Sequence, residues 1–507
     1  MLDWSGARSE ATTIAEAWTR EGGPGGAIVL FDRDGIREVA SGGFAAIEHR
    51  LPFTPDTPNR LASISKHICA ALLLRAGVPL EEPLGRLLTG APPALAAVPL
   101  ARALDMTGAL PDTMEAFWQQ GVPFTASLGS DEILARARAF PALNAEPGTE
   151  MAYSNTGWRL AQAVLEQHSG ESYARLVESL MAPLGLPIRF VRDECEVVDG
   201  LATGYWREGD AWRRGRYGFN FSASGGMAGS AAALARWASA LLAGREAFAG
   251  LLNRLAAPRA FADGSASLYR LGLVASSLGD VHLLGHGGSL PGYRNHVLMA
   301  PEQGVGVVLL GNREEEALWP TLRVLAALLG QSLPEPAEQM PNGLFAAEDG
   351  PFWAEFGADA ISFMGGYEKL VCDGSGGMRS LPAYLDVRLT RSGADAVEGL
   401  IGGMPRRLQR VPGATPLDPR LPGHWRDKNL GTEILIRGDG SARLPWAGSS
   451  IETVLTPLPG GRALADLPHG PWRHRPCFWL QPDGSLRLAG HRSRILHFDR
   501  LIDGATP

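Results

Sequence analysis

Ser63 and Lys66 stand three residues apart near the start of the mostly apolar run RLASISKHICAALLL, which extends from Arg60 to Leu74. The run predicts a buried helix, on which side chains three positions apart share one face. A serine becomes a strong nucleophile when a neighbouring base takes its proton, and a lysine in an apolar site loses its own proton more easily. Backbone N–H groups at the start of the helix would also favour developing negative charge. The pair therefore predicts nucleophilic catalysis by Ser63 with Lys66 as its activator, although this spacing also occurs by chance in most long proteins.

A second segment with catalytic potential is the Tyr-Ser-Asn sequence that ends at Asn155. It precedes a predicted helix from Trp158 to His168, so it is expected on a loop. A Tyr153 hydroxyl beside a lysine can act as a general base, and Asn155 can bind a substrate carbonyl or orient the lysine. Taken alone, the segment also fits a half-buried tyrosine and an asparagine near a helix cap.

A third segment, His-Gly-Gly-Ser, follows a strand predicted to end at Leu284, and its glycines predict a turn over Gly287–Gly292. Glycines at this place let a substrate backbone lie against the strand edge. The Ser289 N–H can pair with that of Ser63 as an oxyanion hole. The alternative is a surface histidine at a strand end. The candidate substrate-binding residues of this segment are His286, Gly287, Gly288 and Ser289.

The elements around these segments predict an α+β domain that covers residues 1–331. A hairpin is expected from Ala27–Phe31 and Ile36–Ala40, and an antiparallel meander between residues 270 and 311. Helices with loops are expected from 76 to 146. Within them, the turn-rich stretch from Asp105 to Asp112 fits either a helix end or a cleft-lining loop.

Two β-rich modules follow, separated by proline-containing linkers, and we expect each to be a small antiparallel β-barrel domain. Their predicted bounds are 339–412 and 420–507. The second contains the segment 468–476, with three prolines, Trp472 and Arg473. This segment fits either a surface loop or a loop that reaches another domain.

The amino-acid composition and charge of the chain argue against several classes of function. The 507 residues are 45% apolar and 20% charged, with a net charge of −7, which argues against nucleic-acid binding. Apolar runs are too short to span a membrane, and the polar N-terminus lacks a secretion signal, so a cytoplasmic location is expected. Four widely separated cysteines indicate reduced thiols, and the histidines form no dense cluster, so neither a metal nor a cofactor is expected.

Together, the three segments resemble the motifs of the penicillin-recognising serine hydrolases, which include class C β-lactamases, DD-peptidases and related esterases. The surrounding sequence strengthens this resemblance, as in Ser224–Trp237 and Gly285–Tyr293. The two β-rich modules make the arrangement similar to the D-aminopeptidases of this superfamily, in which a loop of the last domain reaches the active site. By this resemblance the 468–476 segment is that loop, and Trp472 and Arg473 contact substrate. The resemblance implies a β-lactamase/transpeptidase-like catalytic domain, and it suggests a homodimer.

By this resemblance, Ser63 is acylated, Lys66 and Tyr153 activate it and transfer its proton, and His286 replaces a lysine and contacts substrate. Histidine is a weaker fixed cation than lysine, which makes carboxypeptidase or strong β-lactamase activity less favoured. The expected reaction releases small N-terminal D-amino acids, such as D-alanine, from peptides, amides and esters. The alternatives are an esterase or weak β-lactamase that uses the same nucleophile, and a catalytically silent binding protein.

Overall fold

The computed structural model describes residues 1–219, 222–337, 340–381, 384–427, 429 and 431–501. Position 339 and residues 502–507, which belong to the domain bounds predicted above, lie outside the described residues. The helices in the described part of the chain are α1 (Trp4–Glu21), α2 (Ser65–Arg75), α3 (Leu84–Leu87), α4 (Leu100–Leu104), α5 (Thr113–Gln119), α6 (Ser130–Arg138), α7 (Thr156–Ser169), α8 (Tyr173–Met181), α9 (Ala231–Ala243), α10 (Leu251–Leu255) and α11 (Leu318–Leu329).

The first part of the chain also contains short 3-10 turns and fifteen strands within the described ranges. The turns are Ala62–Ile64, Pro93–Leu95, Ala182–Leu184 and Glu246–Phe248. The strands are β1 (Gly26–Asp32), β2 (Gly35–Gly42), β3 (Phe44–Ala46), β4 (Leu51–Pro52), β5 (Asn59–Arg60), β6 (Arg189–Phe190), β7 (Tyr205–Glu208), β8 (Ala211–Arg214), β9 (Met227–Gly229), β10 (Arg259–Ala260), β11 (Ala266–Ser267), β12 (Val274–Leu278), β13 (Val281–Leu290), β14 (Tyr293–Ala300) and β15 (Val305–Gly311).

A six-stranded antiparallel sheet organises this part, with the order β12-β13-β14-β15-β1-β2. Strand β1 is buried on both faces because its side chains alternate between two hydrophobic clusters. Val29 packs in the cluster that contains α2 and α9, and Leu30 packs in the cluster with α1 and α11. The predicted hairpin and meander are thereby confirmed, and both belong to one sheet.

The next part of the chain forms a closed antiparallel barrel of eight strands. The first and last strands close it through pairs such as Phe345 with Arg410. The barrel strands are β16 (Gly343–Ala347), β17 (Trp353–Phe356), β18 (Ala360–Phe363), β19 (Gly366–Cys372), β20 (Met378–Ser380), β21 (Val387–Arg391), β22 (Ala396–Ile401) and β23 (Met404–Arg410).

The last part forms a nine-stranded sheet, β27-β26-β25-β24-β34-β33-β32-β29-β28, which curls into a nearly closed barrel around its own apolar core. A separate hairpin, β30 with β31, projects from it. The strands are β24 (Gly423–Asp427), β25 (Glu433–Ile436), β26 (Ser441–Trp446), β27 (Ser449–Val454), β28 (Thr456–Leu458), β29 (Arg462–Leu464), β30 (Leu467–His469), β31 (Trp472–His474), β32 (Cys477–Leu480), β33 (Leu486–Ala489) and β34 (Leu496–Arg500). The predicted fold class, α+β with two β-barrel modules, is confirmed.

One boundary prediction is wrong, and it concerns the third motif. The strand predicted to end at Leu284 continues to Leu290, so His286 lies inside β13 rather than at a strand end. The glycines suggested a turn, whereas β13 pairs with β14 throughout this stretch. The alternative of a surface histidine is also wrong, because His286 is buried.

In the part of the chain that the structure describes, none of the helices combines the length and apolarity needed to cross a membrane.

Candidate active site

Ser63 lies in the 3-10 turn Ala62–Ile64, directly before α2. Ala62 has a φ of 52°, a left-handed conformation that is uncommon for a residue with a β-carbon. The turn is packed from the other side by β13, where a Cβ at Gly288 would lie 2.3 Å from the carbonyl oxygen of Leu61. The second glycine of the third motif is therefore needed for the close approach of β13 to the turn that carries Ser63.

Lys66 is fully buried on α2, and its Nζ atom has three polar neighbours. It lies 3.0 Å from Ser63 Oγ, 2.8 Å from Asn155 Oδ1 and 2.7 Å from the carbonyl oxygen of Ser224. The Asn155 and Ser224 oxygens can only accept hydrogen bonds, so each of them accepts one from an N–H of Lys66 Nζ. Burial lowers the pKa of Lys66 well below its usual value, which favours the neutral amine. Its lone pair then faces the Ser63 hydroxyl, as a general base requires.

Tyr153 contacts Ser63 from another direction. Its hydroxyl lies 2.8 Å from Ser63 Oγ, and its ring is almost fully buried. Burial raises the pKa of Tyr153, although the hydrogen bond with Ser63 opposes this effect. The tyrosine therefore stays a neutral phenol that donates to Ser63 Oγ. This geometry favours Lys66 over Tyr153 as the group that removes the serine proton in the free protein.

Asn155 is held in place by Asp112, which lies just before α5 and caps that helix by accepting from the Glu115 N–H. Asp112 Oδ2 also accepts from the Asn155 side-chain amide at 3.0 Å. A carboxylate cannot donate, so this contact fixes the amide with its oxygen toward Lys66. Of the two explanations for the Asp105–Asp112 stretch, the structure favours a loop that lines the active site.

The third motif lies beside this cluster, but its histidine points to other partners. His286 Nδ1 lies 2.6 Å from the Gly287 carbonyl oxygen, and Nε2 lies 2.7 Å from the Tyr269 hydroxyl. A carbonyl only accepts, so Nδ1 carries the proton and Nε2 accepts from Tyr269. Burial lowers the pKa of His286 well below its usual value. His286 is therefore a neutral residue, and its contact with substrate stays a prediction.

Ser289, two strand positions after Gly287, is on the exposed side of β13, and its hydroxyl accepts a hydrogen bond from Arg294. Arg294 also forms an ion pair with Glu314. The role of the Ser289 N–H in an oxyanion hole stays a prediction.

The predicted 468–476 segment forms much of the β30–β31 hairpin, which packs on the catalytic domain. Trp472 lies in an aromatic cluster with Phe124 and Tyr217, and its indole N–H donates to Glu314 at 2.7 Å. Arg473 differs, because its exposed side chain forms an ion pair with Asp466. The structure therefore brings Trp472 toward the site but does not bring Arg473 together with the other residues.

Sequence reasoning missed a second segment from the last module, between β33 and β34. Arg492 in this segment reaches Tyr153, with its guanidinium carbon 5.1 Å from the centre of the Tyr153 ring. Tyr384, from the eight-stranded barrel, also packs on Tyr153 at 4.9 Å between ring centres. Groups from both β-rich modules thus meet at Tyr153. The sequence signal, a Gly-His-Arg-Ser-Arg stretch between strands, is indistinguishable from an exposed basic turn.

Comparisons with known proteins agree with this architecture. The beta-lactamase family model matches residues 11–331. The D-aminopeptidase of Gluconobacter oxydans (strain 621H) is 30% identical over 355 residues, which cover 68% of this chain and 66% of that protein. The D-aminopeptidase of Brucella ovis is 27% identical over 342 residues, which cover 63% of this chain and 62% of that protein. The chain thus spans slightly less than two thirds of the length of these curated relatives.

Among solved structures, the octameric penicillin-binding protein homologue from Pyrococcus abyssi covers 97% of this chain and 99% of its own, with a TM-score of 0.56 and 18% identity. The D-amino acid amidase from Ochrobactrum anthropi SV3, complexed with D-phenylalanine, has a TM-score of 0.55 and 24% identity. It covers 64% of this chain and 99% of its own. These likenesses establish the fold, and with the family match over most of the chain they show that the protein belongs to the beta-lactamase family.

Proposed function

We propose that the protein is a serine aminopeptidase that releases small N-terminal D-amino acids from peptides, amides and esters. The observation that carries this proposal is the hydrogen bonding of one serine oxygen, Ser63 Oγ, by both Lys66 Nζ and the Tyr153 hydroxyl. The named D-aminopeptidase relatives support the choice of substrate within the family.

In the proposed mechanism, the neutral Lys66 amine takes the proton of Ser63 while Oγ attacks the scissile carbonyl carbon. The tetrahedral intermediate collapses as Tyr153 donates its proton to the leaving nitrogen, and the proton held by Lys66 replaces it. Water then attacks the acyl-enzyme ester with Lys66 as the base. The C–O bond to Ser63 breaks as Lys66 passes the proton taken from water to Oγ, so the D-amino acid leaves and the serine hydroxyl is restored.

The position of the β30–β31 hairpin supports a preference for substrates with a short N-terminal side. A Cβ at Gly470, the tip of this hairpin, would lie 2.5 Å from the Phe124 ring, so the hairpin is seated closely on the catalytic domain. Trp472 adds an aromatic wall in the same cluster as Ala62, the neighbour of the nucleophile. We infer that this wall limits how far a substrate extends beyond its first residue.

Other assignments belong to the same proposal. We infer a catalytic domain over residues 1–331 and two β-barrel domains over 339–412 and 420–507. Asn155 orients Lys66, and the 286–289 segment of β13 lines the substrate cleft. A homodimer and a cytoplasmic location complete the proposal; the four unpaired cysteines fit a reducing compartment.

The test is the release of p-nitroaniline from D-alanine p-nitroanilide, compared with the L-isomer and with the N-acetylated D-isomer. We expect rapid turnover of the free D-amine alone, and its loss in Ser63→Ala. Equal turnover of all three compounds, or good hydrolysis of a short acyl ester with none of the anilides, would instead indicate an esterase.

A further inference from the structure

The segment between β33 and β34 is fastened to the catalytic domain by its backbone. Glu115 Oε2, on α5, accepts from the Arg492 N–H at 2.6 Å and also from the Ser493 N–H. The Asn144 amide donates to the Arg492 carbonyl oxygen at 2.8 Å. A Cβ at Gly490 would lie 2.4 Å from the Glu115 carboxylate, so the contact is close. These bonds hold the segment without help from the Arg492 side chain.

That side chain is aimed at the catalytic cluster. The Arg492 guanidinium carbon lies 4.8 Å from the Tyr384 ring centre and 5.1 Å from the Tyr153 ring centre, and its Nε donates to the Tyr384 hydroxyl. Lys66 Nζ lies 4.9 Å from the same Tyr153 ring centre. Two basic groups therefore share one aromatic ring, whose hydroxyl contacts Ser63.

An arginine stays charged at any ordinary pH, so it can only oppose the protonation of a nearby amine. We propose that Arg492, supplied by the last β-rich module, is a positioning residue that keeps Lys66 as a neutral amine and steadies the Tyr153 ring. This inference deepens the proposed serine chemistry and rests on it. It gives the second module a part in catalysis, since the nucleophile would be activated fully only when that module is docked.

Other charged or titratable groups also face Lys66, and they do not replace this role. Asp112 acts in the opposite direction, since its carboxylate favours the lysine ammonium. Burial raises the pKa of Cys69 to about 12 and lowers that of His286, so both stay neutral near pH 7. Tyr153 stays a neutral phenol for the same reason. Of the groups that influence Lys66 in the described part of the chain, Arg492 is the fixed cation.

A test needs a reaction that reports on Ser63 without depending on the natural substrate. The rate of Ser63 labelling by a fluorophosphonate, measured from pH 5 to 10, rises as Lys66 loses its proton. We compare Arg492→Gln with Arg492→Lys, which keeps the charge. The matched control is Arg487→Gln, which removes the same charge from an exposed position on β33 of the same module.

The distances of 4.9 Å and 5.1 Å to the shared ring centre set an upper limit on the separation of the two charges. For like charges at that limit, with an effective dielectric constant near 20, we expect the midpoint in R492Q to move up by about one pH unit. R492K and R487Q should keep the wild-type midpoint. A lower rate in R492Q with an unchanged midpoint would show a purely structural role and overturn the inference. The inference would also be overturned if the midpoint in R492K moved as far as the midpoint in R492Q.

This design separates the inference from the proposed substrate. If Ser63 is labelled but D-alanine p-nitroanilide is not hydrolysed, the aminopeptidase proposal fails and the midpoints still decide the role of Arg492. If the wild-type Ser63 is not labelled at any pH, the nucleophile assignment fails and the inference fails with it. Melting temperatures of all variants identify any change that comes from a loosened fold.

Discussion

Asp112 Oδ2 accepts two hydrogen bonds from Asn155, one from the backbone N–H at 2.7 Å and one from the side-chain amide at 3.0 Å. This double contact leaves the amide oxygen of Asn155 facing Lys66 Nζ at 2.8 Å. Asp112 therefore acts on the proposed nucleophile through two intermediates, Asn155 and Lys66. The buried Asp112 carboxylate thus fixes the orientation of the amide that faces the base.

The first prediction is that Asp112→Asn slows acylation of Ser63 by about 10- to 100-fold, because the introduced amide can no longer accept both bonds from Asn155. Its remaining oxygen can still accept from the Glu115 N–H, so the cap of α5 is retained. The fluorophosphonate labelling rate and the melting temperature measure the two effects separately.

Asp131→Asn is the control for this substitution. The Asp131 side chain is fully exposed, and one of its oxygens forms an ion pair with Arg159 at 3.3 Å. The control should leave the labelling rate unchanged. A rate for Asp112→Asn within twofold of wild type would contradict the proposed orienting role.

The second prediction concerns Gly288, where β13 meets the turn of the nucleophile. A methyl group there would lie 2.3 Å from the Leu61 carbonyl oxygen, so Gly288→Ala must displace the strand or the turn. We expect a loss of about 1–3 kcal/mol in the free energy of unfolding, typical of overpacking, and at least a tenfold lower rate of Ser63 labelling.

Gly287→Ala provides a graded comparison, since the nearest atom to its Cβ would be His296 Nδ1 at 3.2 Å. That side chain can yield slightly, so the melting temperature should fall less than in Gly288→Ala. Equal melting temperatures for Gly288→Ala and wild type would show that the turn does not need the glycine.

Much of the catalytic domain could be predicted from local patterns. The helix expected from Trp158 to His168 is observed as Thr156–Ser169, and the strand expected at Ala27–Phe31 as Gly26–Asp32. Apolar periodicity and terminal glycines set these elements, and both signals lie within the segment itself. The three chemical motifs stood out for the same reason, since each is contiguous in sequence.

The failures come from contacts between distant parts of the chain. Gly288 suggested a turn, but it is a strand residue that must lack a side chain because Leu61 lies against it. Arg492 gave no signal, since its position depends on Glu115 and Asn144, which come from a different module. Neither relationship leaves a periodic or compositional trace in one sequence.

The third prediction addresses the aromatic wall at Trp472. Trp472→Ala removes the ring that packs on Phe124 and Tyr217, so a longer N-terminal side of the substrate should fit more easily. We expect the ratio of kcat/KM for the free D-alanine anilide to that for its N-acetyl form to fall at least tenfold.

Trp472→Phe is the matched variant, because it keeps an aromatic ring at this position while it loses the hydrogen bond with Glu314 and part of the ring area. Its ratio should stay closer to wild type than that of Trp472→Ala. If the ratio does not change in either variant, the hairpin does not limit the N-terminal side of the substrate.

The fourth prediction is a pH dependence of stability that originates at Glu115. Burial raises the pKa of this carboxyl from 4.5 to about 7, against the opposing charge of Arg492. In the unfolded chain the Glu115 carboxyl loses its proton near its ordinary pKa of 4.5. Between pH 4.5 and about 7, the folded protein therefore binds more protons than the unfolded chain. Stability from this group is therefore fully present below about pH 4.5 and is lost as the pH rises through about 7, by about 3 kcal/mol in total.

Glu115→Gln removes this titration, so its free energy of unfolding should fall less steeply than that of wild type between pH 4.5 and 7. Urea unfolding at a series of pH values gives both curves. Glu368, whose pKa burial raises to about 8, contributes a similar slope in both proteins and cancels in the difference. Parallel curves for the two proteins would mean that Glu115 is already ionised throughout this range. In that case the carboxylate would face Arg492 at every pH tested, and Glu115 would add nothing to the pH dependence of stability.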